Sequence, residues 1–263
     1  MFRLGATSYV IEDDLVSNAR YLAAHNLHDM ELVLFDLDDG RSNLPTCDTV
    51  AELNALARAH DLTYTVHLPL DINGAPDHPS LSKAHQVMGR TRDLEPWAYV
   101  LHLDGRKMRL GASKVQRRQW QTQTIVALEQ LAAWAGGYDR LAVENLEGYP
   151  LDFIQPVIDQ LPVSRCVDVG HLWLDGYDPL PYVQQTLPQT RVIHLHGVHL
   201  QGNDRCDHCS LRHVPLERLD PIIRLLVHEN YSGVVTLEVF EETDFLSSQQ
   251  ALVAALQRIL PSR

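Results

Sequence analysis

Eight short β-rich runs alternate along this chain with longer stretches of helical period. The runs are RLGATSY (3–9), MELVLFD (30–36), LTYTVHL (62–68), WAYVLHLD (97–104), RLAVEN (140–145), SRCVDVG (164–170), RVIHLHG (191–197) and VVTLEVF (234–240). Between them lie the amphipathic segments 14–26, 49–61, 117–136, 152–161, 216–230 and 247–260. Runs of β-branched and aromatic residues bounded by turn residues read as strands, and apolar positions recurring every three or four residues read as helices. Thr46, Asp48 and Thr49 can cap the second helix, and Ser113 the helix after the fourth strand. Strands separated by helices or helix-length gaps pair in parallel through right-handed crossovers. Eight of them in 263 residues predict an α/β chain that forms one closed (β/α)8 TIM barrel over 1–263. An open doubly wound sheet is the rival, and the lack of a glycine-rich phosphate loop after the first strand counts against it.

Composition narrows the partners. Hydrophobic residues make up 45 % of the chain, enough for a substantial core. Acidic residues exceed basic ones by 34 − 22 = 12, and such a surface repels a phosphate polymer, so no nucleic-acid partner is expected. A small phosphorylated substrate held by metal ions is still compatible with that charge. No apolar run approaches the ~18 residues that a bilayer crossing needs, so no membrane partner is expected. MFRLGATSYV runs straight into a strand pattern without the features of a signal peptide, and Cys47, Cys166, Cys206 and Cys209 show no disulfide framework. Both point to the cytoplasm. Oligomeric state is not readable.

In a barrel of this type the reactive end is the C-terminal rim of the strands. Nearly every late strand position here carries a metal-competent side chain: His67, His102, Glu144, Asp168 with His171, His194 with His196, and Glu238. A single histidine at a strand end is ordinarily a hydrogen-bonded structural residue. Six strands presenting such groups at corresponding points is a different matter, because closure turns them toward one another. Imidazole with carboxylate suits zinc or manganese. The stretch HLHGVHLQGNDRCDHCSLRH (194–213) adds further histidines and a C-x-x-C pair, Cys206 and Cys209, which read as thiols on a substrate-covering loop. His194 and His196 share one strand face, and His194 reads as structural.

This rim pattern resembles the xylose-isomerase-like barrels, the superfamily that holds the apurinic endonuclease IV type and many sugar epimerases. VEN-x-x-G (143–148) is similar to the endonuclease-type fifth strand, and D-x-x-H (168–171) fits both branches. The resemblance implies that Glu144, Asp168, His196 and Glu238 bind a divalent ion. His67 and His102 together resemble the phosphodiesterase branch, with Glu144 bridging to a second ion. LRHVPL (211–216) resembles that branch's D-R-H-x-P-L, with Leu211 in place of the aspartate. It implies His213, with His171, as a ligand of a third ion, and Asp204, Asp207 or His208 as substitutes for the missing carboxylate. The implied cofactors are two or three Zn²⁺, with Mn²⁺ as the alternative, and the implied catalytic residues are Glu144 and Glu238.

YVIEDD, ELVLF and VHLPL, in that order, resemble the cobamide-remodelling phosphodiesterases. That resemblance implies hydrolysis of the nucleotide-loop phosphodiester of vitamin B12-type cobamides, so that the lower ligand can be exchanged. Such a substrate needs a broad apolar mouth, for which Tyr9, Phe35, Trp173, Tyr177 and Phe240 are candidates, while Lys107 and Arg109 are candidates to meet a phosphate. The rival is a sugar isomerase or epimerase using one divalent ion, with Glu144 and Glu238 as acid and base. A scaffold that binds without catalysis is the third reading.

Overall fold

Each of the eight expected runs forms a strand, and the strands close on themselves. The computed structural model describes residues 2–37, 39–75, 77–109, 111–201 and 204–260. The barrel strands are β1 (Arg3–Thr7), β2 (Asp29–Val33), β3 (Thr63–His67), β4 (Tyr99–Leu101), β5 (Leu141–Glu144), β6 (Ser164–Asp168), β7 (Thr190–Leu195) and β10 (Val234–Leu237). All pair in parallel in the closed order β1-β10-β7-β6-β5-β4-β3-β2. Helices α1 (Leu15–Ala24), α2 (Cys47–His60), α3 (Ser80–Thr91), α5 (Lys114–Ala135), α8 (Pro179–Thr186), α9 (Leu216–His228) and α10 (Glu242–Ile259) lie between them. The remaining elements are short helices α4 (Arg106–Arg109), α6 (Gln155–Ile158) and α7 (Val169–Leu174), and an antiparallel pair, β8 (Gly197–Gln201) with β9 (Asp204–Cys209).

Two apolar clusters hold this arrangement. The larger fills the space between strands and helices with residues such as Leu22, Met30, Leu128, Ile193 and Phe245. The smaller consists of Ala98, Val100, Ala142, Cys166 and Val192, backed by Trp97, and it plugs the barrel's floor. Side chains on a strand alternate faces, so two residues beyond these plug positions the same inward face carries His102, Glu144, Asp168 and His194. An apolar floor under a charged ring is thus a direct result of the period of two.

The structure differs from the sequence reading in several places. The expected strand 164–170 ends at Asp168, because the Asp168 carboxylate accepts the backbone N–H of His171 (2.6 Å) and caps α7. The helix expected over 152–161 shrinks to α6, and α3, α7 and α8 lie outside the expected helices. The stretch 194–213, expected as a substrate-covering loop, contains the β8–β9 hairpin. The cap residues are as expected: Thr46 accepts from the Thr49 N–H, and Ser113 forms a reciprocal capping box with Gln116 at the start of α5. Among the described residues no helix is long and apolar enough to cross a membrane.

Ser113→Ala removes the side-chain half of that box. It should lower stability by about 1 kcal/mol, read as a fall in the urea midpoint at unchanged slope.

Candidate metal centre

The charged ring gathers into contiguous donor groups, each with its ligand atoms within 4.8 Å of one another. His67, His102 and Glu144 form one, and Glu144, Asp168, His194 and Glu238 the next. Glu144 and His194 also approach Cys166 below. His171, His196, Asp207 and His208 form another at the mouth.

Outer partners hold each ring so that one nitrogen faces the centre. His67 Nδ1 donates to the Leu68 carbonyl (3.0 Å), His171 Nδ1 to Asn145 O (3.1 Å) and His208 Nδ1 to Glu238 O (3.2 Å). A carbonyl can only accept, so in the neutral rings Nε2 keeps its lone pair. His102 Nδ1 lies 3.2 Å from Asp71 and His194 Nε2 lies 2.9 Å from Glu31, in the carboxylate–histidine arrangement that fixes a ligand's tautomer.

The electrostatics are those of buried anions facing imidazoles. Burial pushes the Glu144 carboxyl up, but His194 and His102 hold it well below the usual carboxylate range. Asp168 follows the same pattern, with burial opposed by His171 and His196. Burial alone would lower His102, yet Glu144 and Asp71 raise it to about 10. Burial likewise opposes the rise of His194, which its facing carboxylates keep well above the ordinary value. Cys166, buried in the plug, is pushed well up and stays a thiol.

Unpartnered atoms test whether this donor set fits a cation. His194 Nδ1 and Glu238 Oε2 are 3.0 Å apart, yet neither makes a hydrogen bond of good geometry. Glu144 Oε1 is also buried without a hydrogen bond, 3.5 Å from the same nitrogen. Buried polar atoms are almost always paired. Three orphans converging on one point, in a set of imidazoles and carboxylates, fit a divalent ion.

The expected ligands divide accordingly. His67, His102, Glu144, Asp168, His171, His196 and Glu238 all belong to the groups. His213 does not: it is exposed on the turn Leu211–His213, with its ring 5.7 Å from that of His199. Its place is taken by Asp207 and His208. One extra residue in β9 between Cys206 and Cys209, opposite the Gly197–His199 span of β8, makes a bulge there, with His208 at φ +51°. Leu211, the substituted position, is fully buried.

His194, read as structural, is a donor as well, and His196 belongs to a different group from the one expected. His194 is level with Asp168 in the strand register and joins Glu144, Asp168 and Glu238. His196, past the end of β7, joins the mouth group while its Nε2 lies 3.2 Å from Asp168. Gly170 makes room for it, since a Cβ there would come within 2.0 Å of the His196 ring. The sequence reading missed Glu31 and Asp71 as orienting groups. Glu31 had a signal, a carboxylate at an inward position of the apolar run MELVLF.

At the mouth, Tyr9, Tyr177 and Phe240 are exposed and Phe35 is half-buried, but Trp173 is fully buried and cannot line it. Arg109 borders the cleft above the donor groups, while Lys107 faces a separate pocket beside Asn73 and Trp120. A larger cavity of about 890 Å³ opens at the opposite end of the barrel, around Trp97, Arg191 and Gly233, and among the described residues no donor group borders it.

A parallel eight-stranded barrel carrying a carboxylate–imidazole centre at its C-terminal rim defines a class. The chain matches the family described as xylose isomerase-like TIM barrel over residues 19–261, and it belongs to that family. No curated protein matches it. Among solved structures it is similar to a D-tagatose 3-epimerase-like protein (17% identity, TM-score 0.76, 98% of each chain covered). It is also similar to endonuclease IV from Thermus thermophilus (16%, 0.70, 97% of this chain and 99% of that one). A third is a probable 3-DHS dehydratase from Bacillus anthracis (14%, 0.72, 98% and 100%). At these identities the likeness speaks for the fold alone.

Elemental analysis of purified variants separates the two reassigned histidines. His194→Ala should lose at least one equivalent of bound divalent metal, whereas His213→Ala should keep the wild-type content.

Proposed function

We propose that this protein is a metal-dependent hydrolase of a small phosphodiester. The observation that carries the reading is the position of Glu144, which belongs to adjacent donor groups on both of its sides, with a further group at the mouth. That is the layout for clustered ions rather than one. Divalent ions held there would supply Lewis acidity toward a phosphoryl oxygen and an activated water near neutral pH. His67, His102 and Glu144 would hold one, Glu144, Asp168, His194 and Glu238 a second, and His171, His196, Asp207 and His208 a third. The imidazole-rich set favours zinc over magnesium.

The protein's own groups do the positioning. Asp71 and Glu31 lock His102 and His194, and the shared Glu144 fixes the spacing between neighbouring positions. The hairpin β8–β9 carries Asp207 and His208 over the centre and limits access of bulk water. The cleft above, about 440 Å³, has room for a phosphate and its substituents.

The rim favours a substrate with one bulky apolar side. Tyr9, Leu37, Leu70 and Phe240 are exposed beyond β1, β2, β3 and β10, which are consecutive in the barrel. The Phe240 ring stands edge-on to His208 at 5.3 Å, so this arc reaches the donor centre. A corrin ring meets that description, which keeps the cobamide nucleotide loop as the specific substrate to test. A cytoplasmic location would suit such a substrate.

A second reading, sugar epimerisation, draws on the pairing of Glu144 and Glu238 in one donor group and on the epimerases among the structural neighbours. It requires one ion per chain.

Metal-replete protein incubated with cobalamin should yield either cobinamide with the nucleoside phosphate or cobinamide phosphate with the nucleoside on chromatography, according to which ester bond takes up water, with two or three ions bound per chain. Intact cobalamin alongside hydrolysis of bis(p-nitrophenyl) phosphate would remove the corrin substrate alone, and a single bound ion with neither hydrolysis would favour the epimerase. Glu144→Ala should abolish turnover while keeping a cooperative thermal transition. Retained turnover in that variant would defeat the shared-carboxylate reading.

A further inference from the structure

Two arginines border the cleft, and they are not equivalent. Arg106 is committed to Asp104, with Nε and Nη2 each 3.0 Å from a carboxylate oxygen. Hydrogen bonds from Arg106 are the main reason that the Asp104 carboxyl drops to about 2. Asn73 holds the same carboxylate from the other side at 2.9 Å. Arg106 is therefore a neutralised, structural cation.

Arg109, one helical turn on, has no carboxylate within ion-pairing distance among the described residues. Its guanidinium lies over the Tyr149 ring, 5.3 Å from the centroid, and among the described residues the guanidinium's one hydrogen bond is a long one, from Nη1 to Gly148 O at 3.5 Å. A guanidinium laid on an aromatic face keeps donors free for a planar, two-oxygen acceptor. The surroundings hold this pose. Gly148 sits at φ +71°, and a Cβ there would come within 2.8 Å of Arg109 Nη1. Tyr149 packs on Phe153 (4.7 Å), Phe153 on Trp120 (4.9 Å), and the Trp120 indole donates to Asp104 O at 2.8 Å, just before α4. The helix that carries Arg109 and the loop that supports it are thus fastened together.

Besides Arg106 and the donor histidines, the charged groups bordering the cleft are the carboxylates Asp71, Glu144, Glu147, Asp207 and Glu238. An unpaired cation beside so many carboxylates would ordinarily turn to one of them. We infer that Arg109 is the anion-binding residue of this cleft, and that it takes the non-bridging oxygens of the substrate phosphate. The inference rests on the hydrolase reading and deepens it. It assigns the anionic side of the substrate to the β4–β5 side of the mouth, away from the apolar arc over β10, β1, β2 and β3. A neutral sugar would leave the guanidinium unused.

Calorimetry with inorganic phosphate on the metal-loaded protein tests this independently of turnover. Arg109→Ala should weaken phosphate binding by about tenfold or more, as expected for loss of a charge-assisted, forked contact. Arg109→Lys should fall between, because a point charge cannot reproduce the fork. Arg106→Ala should stay within about twofold of wild type, since its charge is already spent on Asp104. Kinetics with bis(p-nitrophenyl) phosphate should show the Arg109→Ala loss mainly in KM, with metal content unchanged and partial recovery on adding guanidinium ion. Wild-type protein that binds no phosphate would overturn the inference. So would equal affinities in wild type and Arg109→Ala, or equal losses in the Arg106 and Arg109 variants. If wild-type protein hydrolyses no phosphodiester, the hydrolase reading fails, while the phosphate titration still decides the role of Arg109.

Discussion

Carboxylates buried away from bulk solvent are the constraint on which this structure turns. Glu31, Glu144, Asp168 and Glu238 all lie inside the barrel, the first three essentially without exposure. An isolated ionised carboxylate in such a place is strongly unfavourable. Here each faces at least one imidazole, so the barrel interior is a mutually compensated lattice rather than a set of separate charges. Compensation of this kind does not make the interior stable in itself, and replacing it with apolar residues would often stabilise a protein. Its persistence alongside unpaired donor atoms is best understood through what those atoms can hold.

Two mechanical regimes meet at the site. The groups around Glu144 are carried by strand ends and by the residues directly following them, and the parallel ladder fixes their heights. The mouth group draws half its members, Asp207 and His208, from a hairpin bulge. Residues fixed by the barrel set the spacing of the centre, whereas the hairpin completes and covers it. The apolar arc and the Arg109 side then frame the opening with opposite chemistry.

The fold is legible in the sequence because period-two runs and helical segments carry their own signal. The barrel order follows from parallel pairing once eight strands are counted. Most donors are legible for the same reason, since His102, Glu144 and Asp168 stand two places after plug residues. Height is harder to read. His194 and His196 share a strand face, and only the pairing of His194 with Asp168 and Thr236 shows which one reaches Glu144 and Glu238. The mouth group depends on a bulge, which inserts a residue without any periodic trace, so the sequence offers Asp207 and His208 only as substitutes beside His213 and cannot say that they, and not His213, reach the group. Trp173 reads as a rim aromatic only if the strand runs on past Asp168. The cap at Asp168 turns the chain into α7 and carries the indole into the core.

The shared membership of Glu144 has a thermodynamic consequence. Its Oε2 faces His67 and His102 while its Oε1 faces His194, so ions held on the two sides would share one carboxylate. Any coupling between their occupancies would be reciprocal: whatever factor the first imposed on the second, the second would impose on the first. Filling both sides would then be a joint equilibrium in which neither position had an affinity of its own.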